Sequence, residues 1–361
     1  MIDLTQPVVI NLALTGMVPR KKDNPAVPVT PAEVVADAVK CYAAGARIFH
    51  IHARREDEEP TYERALYAEM TRGIRAAIPG AVICVTTSGR VYKEFEYRSD
   101  SLKLEGELKA DLASLTLGSL NFPKQASVNE PAMIQRLAQE MNERGIVPEL
   151  EVFDFGMIDY AQYLIGRKIL REPFVFNLLL GSLGTSSATG VNLATMVERL
   201  PRGSFWSAAG IGRYQFSMNS LGLALGGHAR TGLEDNLFLD AEKARPATNE
   251  LLVARVARVA EALGRPIATT GETRRLLGLS RSGCCCFRRW WSGDLSVDCC
   301  WRWRICSGSW SGWAGRWKRR CTGRRGRRWR HRCGRRRVGS RVCSGIRRCC
   351  GCGRGCRRDG G

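Results

Sequence analysis

The run His50-Ile51-His52 is the most chemically pointed stretch of the chain. If it lies on a β-strand, side chains two residues apart share one face, and both imidazoles project to the same place. Such a pair also occurs as plain core, so a metal site requires a third ligand. Before residue 280 the only other histidine is His228. It opens the segment His228-Ala-Arg-Thr-Gly-Leu-Glu-Asp-Asn236, whose far end carries Glu234. His228, at the start of that segment, is expected to be structural, whereas Glu234 is placed to complete the set. Two imidazoles and one carboxylate leave a fourth position of a tetrahedral zinc ion open, the pattern of a catalytic site. Arg230 and Asp235 flank this ligand, either as an ordinary strand ion pair or as charged machinery beside the metal.

These residues need a scaffold that delivers them to one place. Short β-branched and apolar runs alternate with amphipathic stretches, which predicts a parallel sheet with crossover helices. The expected strands are Val8–Leu14, Arg47–Ala53, Ala81–Thr87, Asp111–Leu117, Glu149–Phe153, Val175–Leu180, Phe205–Ala209 and His228–Leu233. Thr30-Pro31-Ala32-Glu33 reads as a capping box opening a helix that stops at Gly45. Further helices are expected from near Thr61 to Pro79-Gly80, from Asn129 to Gly145 with Pro131 in the first turn, and from Asn249 to Gly264. An open doubly wound sheet would carry a glycine-rich phosphate turn after its first strand. Here that strand runs into Thr15-Gly16-Met17-Val18-Pro19, and Gly210-Ile211-Gly212 alone is no fingerprint. Eight strand-helix units indicate a (β/α)8 TIM barrel, with chemistry at the strand C-termini.

Composition divides the chain at residue 280. The segment 280–361 holds 24 basic residues against three acids, and so all of the net charge of +21, together with 13 of the 15 cysteines. The body, 1–279, has 32 residues of each sign and no electrostatic footprint for nucleic acid or membrane. The tail consists almost wholly of Arg, Gly, Cys, Trp and Ser, residue types that share a G at the second codon position. A frameshift in a GC-rich gene yields that composition, so 280–361 is read as out-of-frame translation and unstructured. Arginines among tryptophans could bind RNA, and Cys349, Cys350, Cys352 and Cys356 could suggest a metal. The irregular cysteine spacing and missing apolar periodicity speak against both. With only Cys41 and Cys84 in the body, no basic-then-apolar leader and no run long enough to span a bilayer, a soluble cytoplasmic protein is expected.

The stretches Asn11-Leu-Ala-Leu-Thr-Gly16, Asp23-Asn-Pro-Ala-Val-Pro-Val-Thr30, His50–Arg54, Thr86-Thr-Ser-Gly89, Ser114-Leu-Thr-Leu-Gly-Ser-Leu-Asn-Phe122, Pro148-Glu-Leu-Glu-Val-Phe153, Ala209-Gly-Ile-Gly-Arg213 and Gly227–Asn236 resemble, in order, those of the β-keto acid cleavage enzymes. The resemblance spans nearly all of residues 5–279. It implies condensation of a β-keto acid with acetyl-CoA to give acetoacetate and a new CoA ester. The zinc ligands would be His50, His52 and Glu234, with zinc polarising the keto group. Asp235, oriented by Arg230, matches the group that removes the proton next to the keto carbon. Thr86, Ser114 and Glu151 match further pocket positions, and a homo-oligomer, dimer or tetramer, is expected. Founding members that cleave an amino-bearing acid carry an acidic residue after the first-strand Thr-Gly. Met17-Val18 stands there instead, which speaks against an aminated substrate. Rival classes are an amidohydrolase-type hydrolase, which would need more histidines, and another metal-dependent barrel lyase acting on a hydroxyacyl-CoA or related keto acid.

Overall fold

The protein is seen here as a computed structural model that describes residues 4–122 and 125–279. The tail 280–361, expected to be unstructured, lies outside the described residues. In chain order the elements are β1 (Ile10–Ala13), α1 (Pro31–Ala44), β2 (Ala46–Ile51), α2 (Arg64–Ala77), β3 (Val82–Val85), α3 (Phe95–Arg98), β4 (Leu112–Thr116), β5 (Leu120–Asn121), β6 (Ala126–Ser127), α4 (Pro131–Arg144), β7 (Val147–Val152), α5 (Phe155–Gly166), β8 (Val175–Leu180), α6 (Gly190–Arg199), β9 (Phe205–Gly210), α7 (Gln215–Ala224), β10 (His228–Thr231), α8 (Asn249–Ala262) and α9 (Thr270–Leu276).

Eight strands close into a barrel in the order β1-β10-β9-β8-β7-β4-β3-β2, and β5-β6 forms a separate antiparallel ribbon. The barrel pairs are parallel, and β1 closes the ring by pairing with both β2 and β10. This is a (β/α)8 barrel, as the alternation of the sequence predicts. The strand ends differ from expectation. Ladders expected to reach Leu14, Ala53, Thr87 and Leu233 stop at Ala13, Ile51, Val85 and Thr231, where the chain leaves the sheet to turn over the barrel mouth. The ribbon β5-β6 was not anticipated; two-residue strands carry too little pattern to be read.

Local sequence accounts for the helices. The capping box is present: the Glu33 backbone N–H donates to Thr30 Oγ1 at 3.3 Å, and the Thr30 N–H donates to Glu33 Oε2 at 3.1 Å. Helix α4 ends at Gly145 in the left-handed conformation that glycine permits. Helix α8 is capped by Thr248 and not by Asn249. The Asn249 side chain is buried instead: it accepts from Leu233 N at 2.8 Å and donates to Leu14 O at 3.0 Å, tying together the chain segments that follow β1 and β10.

Strand periodicity builds the barrel interior in layers. Val9, Ile48, Val82, Cys84, Leu112, Val175 and Phe205 form one buried apolar cluster, closed by Ala268 and Leu277. Two residues further along the same strands come Asn11, His50, Ser114, Asn177 and Ser207, all buried and all polar. The barrel floor is therefore oily, and the layer above it is polar. Within that layer Asn11 Nδ2 donates to Glu149 at 2.6 Å, whereas Asn177 Nδ2 and Ser207 Oγ are buried without a hydrogen-bond partner.

Candidate active site

His50 lies within β2, and His52 one residue past its end, at the C-terminal mouth. Their Nε2 atoms are 3.0 Å apart. Glu234 meets them from the other side of the closure: its Oε1 is 3.3 Å from His52 Nε2 and its Oε2 3.7 Å from His50 Nε2. Glu234 and Asp235 are sequence neighbours, which an extended strand would send to opposite faces. Strand β10 ends at Thr231, and Gly232 breaks it with φ +146°; a Cβ there would sit 2.0 Å from Ala13 O. The loop that follows brings both carboxylates to Arg230.

Arg230 is fully buried and holds the mouth together. Its Nε donates to Asp235 Oδ2 at 3.1 Å, Nη2 to Glu234 Oε1 at 3.1 Å and to Asp235 Oδ1 at 3.4 Å, and Nη1 to Glu151 Oε1 at 3.2 Å. The second oxygen of Glu151 accepts from Thr116 Oγ1 at 2.7 Å. Below the histidines lies Glu149, which is inaccessible to solvent. It receives Asn11 Nδ2 at 2.6 Å and Cys84 Sγ at 3.3 Å, and its Oε2 is 3.4 Å from His50 Nδ1. With Nδ1 engaged by a carboxylate, the Nε2 lone pair of His50 faces the mouth, the arrangement by which an outer partner orients a ligating imidazole.

The protonation tendencies follow from this crowding. Burial pushes the Glu149 carboxyl up, but the hydrogen bond and charge of His50 and the charge of Arg230 prevail and hold it at about 2. Burial pulls His52 down to about 4. Burial acts the same way on His50, yet Glu234 and Glu149 carry its pKa above the ordinary value. Glu234 lies well below the usual carboxylate range despite burial, because His52, Arg230 and His50 surround it. Asp235 is raised by burial, with the Arg230 charge opposing.

Four carboxylates thus converge, and among the described residues Arg230 is the one permanent cation directly paired to them. The donor atoms of His50, His52 and Glu234 all lie within 4.8 Å of one another. Glu234 Oε2 is buried and has no hydrogen-bond partner. An unsatisfied buried carboxylate oxygen facing two imidazoles fits a divalent cation in both charge and donor type. A second grouping, His50, Cys84 and Glu149, is equally close. Burial and Glu149 push the Cys84 thiol well up, so it stays protonated and donates; this set is a hydrogen-bonded support beneath His50.

The other residues singled out in the sequence are placed as follows. Thr86, one residue past β3, lines a narrow cleft with Met17 and His52, whose cavity volume is about 20 Å³. Ser114 lies in the middle of β4. Its hydroxyl accepts from Thr87 N at 3.4 Å and its carbonyl from Thr87 Oγ1 at 2.6 Å, so it shapes the loop that carries Thr86. Arg54 pins the loop after β1, donating to Gly16 O at 2.6 Å and to Pro19 O at 2.5 Å. His228 begins β10, accepts from Val9 N at 3.1 Å and stacks on Phe205, away from the mouth. Glu149, Asn11 and Thr116 were not singled out by sequence reasoning. The signal for Glu149 was present, since Glu149 and Glu151 are two apart on one strand and must share a face.

A closed parallel barrel whose C-terminal mouth gathers imidazoles, carboxylates and a buried guanidinium is the frame of a barrel enzyme. The sequence profile described as beta-keto acid cleavage enzyme matches residues 7–279, and the chain belongs to that family. It is 40% identical over 279 residues to the 3-oxoadipate:acetyl-CoA acetyltransferase of Cupriavidus necator, covering 76% of this chain and 96% of the relative. It is 37% identical over 280 residues to the 3-keto-5-aminohexanoate cleavage enzyme of Fusobacterium nucleatum, covering 77% and 100%. Among solved structures, a ternary complex of ObcA with a C4-CoA adduct and oxalate superposes with a TM-score of 0.63 at 22% identity, over 71% of this chain and 68% of that one, and shows the shared fold. Among the described residues, no helix is long and apolar enough to cross a membrane.

Proposed function

We propose that the chain up to Leu279 is a zinc-dependent enzyme that condenses a β-keto acid with acetyl-CoA, yielding acetoacetate and the CoA ester of the remaining acyl group. The observation that carries this reading is the convergence of the His50, His52 and Glu234 donor atoms beside the Arg230–Asp235 pair. His50, His52 and Glu234 would hold the metal, which when bound supplies Lewis-acid polarisation to the keto oxygen and carboxylate of the substrate. Asp235, gripped by Arg230 through both oxygens, takes a proton from the carbon between the keto and carboxylate groups. The carbanion attacks the thioester carbonyl of acetyl-CoA, and CoA thiolate leaves. That thiolate attacks the original keto carbon, the adjacent carbon–carbon bond breaks, and the acetoacetate carbanion recovers the proton from Asp235. All atoms of the two substrates reappear in the two products.

Glu151 restrains Arg230, Thr86 lines the cleft with its hydroxyl accepting from Ser88 N at 3.1 Å, and Ser114 positions the Thr86 loop. The body's Cys41 and Cys84 are buried free thiols, which suits work in the reducing cytoplasm. A homo-oligomer is the state we assign to the working enzyme.

Incubating the purified chain with zinc, acetyl-CoA and a set of β-keto acids should yield acetoacetate in equal amount to the new CoA ester. A His50→Ala, His52→Ala double variant should lose both bound zinc, by elemental analysis, and activity. Full zinc and activity in that variant, or a CoA ester formed without consumption of acetyl-CoA, would sink the proposal.

A further inference from the structure

The stretch Ala209-Gly-Ile-Gly-Arg213 takes no part in the reaction as described, yet it runs against the loop that carries both mouth carboxylates. It ends β9 and turns through Gly212–Tyr214 into α7. The turn is so tight that a Cβ on Gly210 would lie 2.2 Å from Tyr214 O, and it delivers Gln215 to the first position of α7. Gln215 is fully buried, and its Nε2 donates to Gly232 O at 2.9 Å. Its Oε1 is without a partner, so among the described residues the Gly232 contact is the one hydrogen bond of an amide that is costly to bury. One turn further along, on the same face of the helix, Asn219 Nδ2 donates to Arg230 O at 2.7 Å and to Ala208 O at 2.8 Å. The two amides thus grip the end of β10 on both sides of Thr231.

Gly232 O is the hub of the turn that follows. It also accepts from Asp235 N and Asn236 N, each at 3.2 Å, so the Gln215 contact is the shortest of the three. The Asp235 carbonyl in turn accepts from Gly212 N at 2.8 Å. The main-chain groups of Asp235 therefore bond within the turn and to the β9–α7 connection. Glu234 is held otherwise. Its N–H donates to Ala13 O of β1 at 3.2 Å, and the preceding Leu233 donates to Asn249 Oδ1 at 2.8 Å and is buried with Val27, Ala247 and Leu252. Residues adjacent in sequence thus answer to the two different strands that flank β10, and Arg230 joins them only through side chains.

We propose that Gln215 is a positioning residue for proton removal: through Gly232 O it sets where Asp235 stands, while β1 independently sets where Glu234 stands. This rests on the proposed reaction, in which Asp235 takes the proton and Glu234 holds the metal. Misplacing a reacting group by about 1 Å costs on the order of 100-fold in rate, so loss of the Gln215 donor acts on proton removal and spares metal binding.

The test uses the full chain and Gln215→Met, which fills similar space without a donor. Exchange of the substrate's acidic proton in heavy water, without acetyl-CoA, should slow about 10- to 100-fold, and kcat should fall while the KM for the β-keto acid stays close to wild type. Zinc affinity, from competition against a chromophoric chelator, should remain that of wild type. On the residual turnover of Asp235→Asn the same substitution should cost nothing further, because the residue through which it acts is gone. Exchange at the wild-type rate in Gln215→Met would overturn the assignment. So would a parallel loss of zinc affinity or an additive loss in the Asp235→Asn background, either of which marks a general loosening of the loop. Should Gln215→Met not fold, Gln215→Asn keeps an amide that is one methylene short of Gly232 O and is read by the same criteria. Absence of exchange and turnover in the wild type with every β-keto acid would instead refute the proposed reaction, and the assignment with it.

Discussion

Gly16 permits a test of the metal site that touches no ligand. Its φ is +67°, and a Cβ built on it would fall 2.5 Å from Glu234 Cγ, where ordinary contact begins near 3.4 Å. Neither backbone can yield easily. Arg54 grips Gly16 O through both Nε and Nη2, at 3.0 and 2.6 Å, and Glu234 N is held on Ala13 O at 3.2 Å. In Gly16→Ala the Glu234 side chain must therefore retreat by roughly 1 Å, several times the ~0.2 Å tolerance of a metal–ligand distance. Zinc affinity should fall by about 10- to 100-fold, the usual consequence of disturbing a ligand's support, and kcat/KM at limiting zinc should fall with it. Backbone strain from the left-handed conformation adds about 1–2 kcal/mol of destabilisation. Gly264 is the control: its φ is +70°, and a Cβ there meets nothing within 4 Å. Gly264→Ala carries the same strain and should keep its zinc. Competition against a chromophoric chelator measures affinity, and urea midpoints measure stability. Equal zinc affinity in the two variants would refute the placement of Glu234 as a ligand.

In Asp235→Asn, zinc content and β-keto acid binding should persist while turnover falls about 100- to 10,000-fold, and exchange of the substrate's acidic proton in heavy water should vanish; surviving exchange would transfer the base role to Glu151. A chain ending at Leu279 should keep full activity and solubility, and loss of folding on that truncation, with an intact reading frame in the source DNA, would contradict the out-of-frame origin of 280–361. Burial, with the Arg265 charge adding to it, depresses His228 to about 3. An unfolded histidine titrates near 6.5, so below that pH the unfolded chain binds the extra proton. The neutral buried imidazole thus contributes stability that is present above pH ~6.5 and lost toward pH 3, at up to about 1.4 kcal/mol per pH unit. His228→Gln should flatten the acid limb of stability, measured as urea midpoints between pH 6 and 4, and an unchanged slope would exclude His228 as its source.

What the sequence made legible here is whatever a single strand encodes about itself. Period-two alternation places His50 and His52 on one face of the β2 path without knowledge of any neighbour, and the loss of strand character at Gly232 lets Glu234 and Asp235 share a mouth. The residues left unread are those whose meaning depends on a partner far away in the chain. Glu149 is a carboxylate in a fully enclosed layer, tolerable because Asn11, 138 residues distant, and Cys84 donate to it and His50 and Arg230 lie against it. Nothing local distinguishes that carboxylate from the mouth-facing Glu151 two residues on, although the alternation that pairs them was available. Ser114 likewise depends on a distant partner, since its position two residues below Thr116 and its bonds to the Thr87 backbone and hydroxyl appear only in the folded barrel. Each barrel strand thus carries two kinds of information at alternating depth. The mouth residues announce their chemistry by type, whereas the layer below them, which fixes ring orientation and charge, can be identified only once closure of the barrel sets the strands' faces against one another.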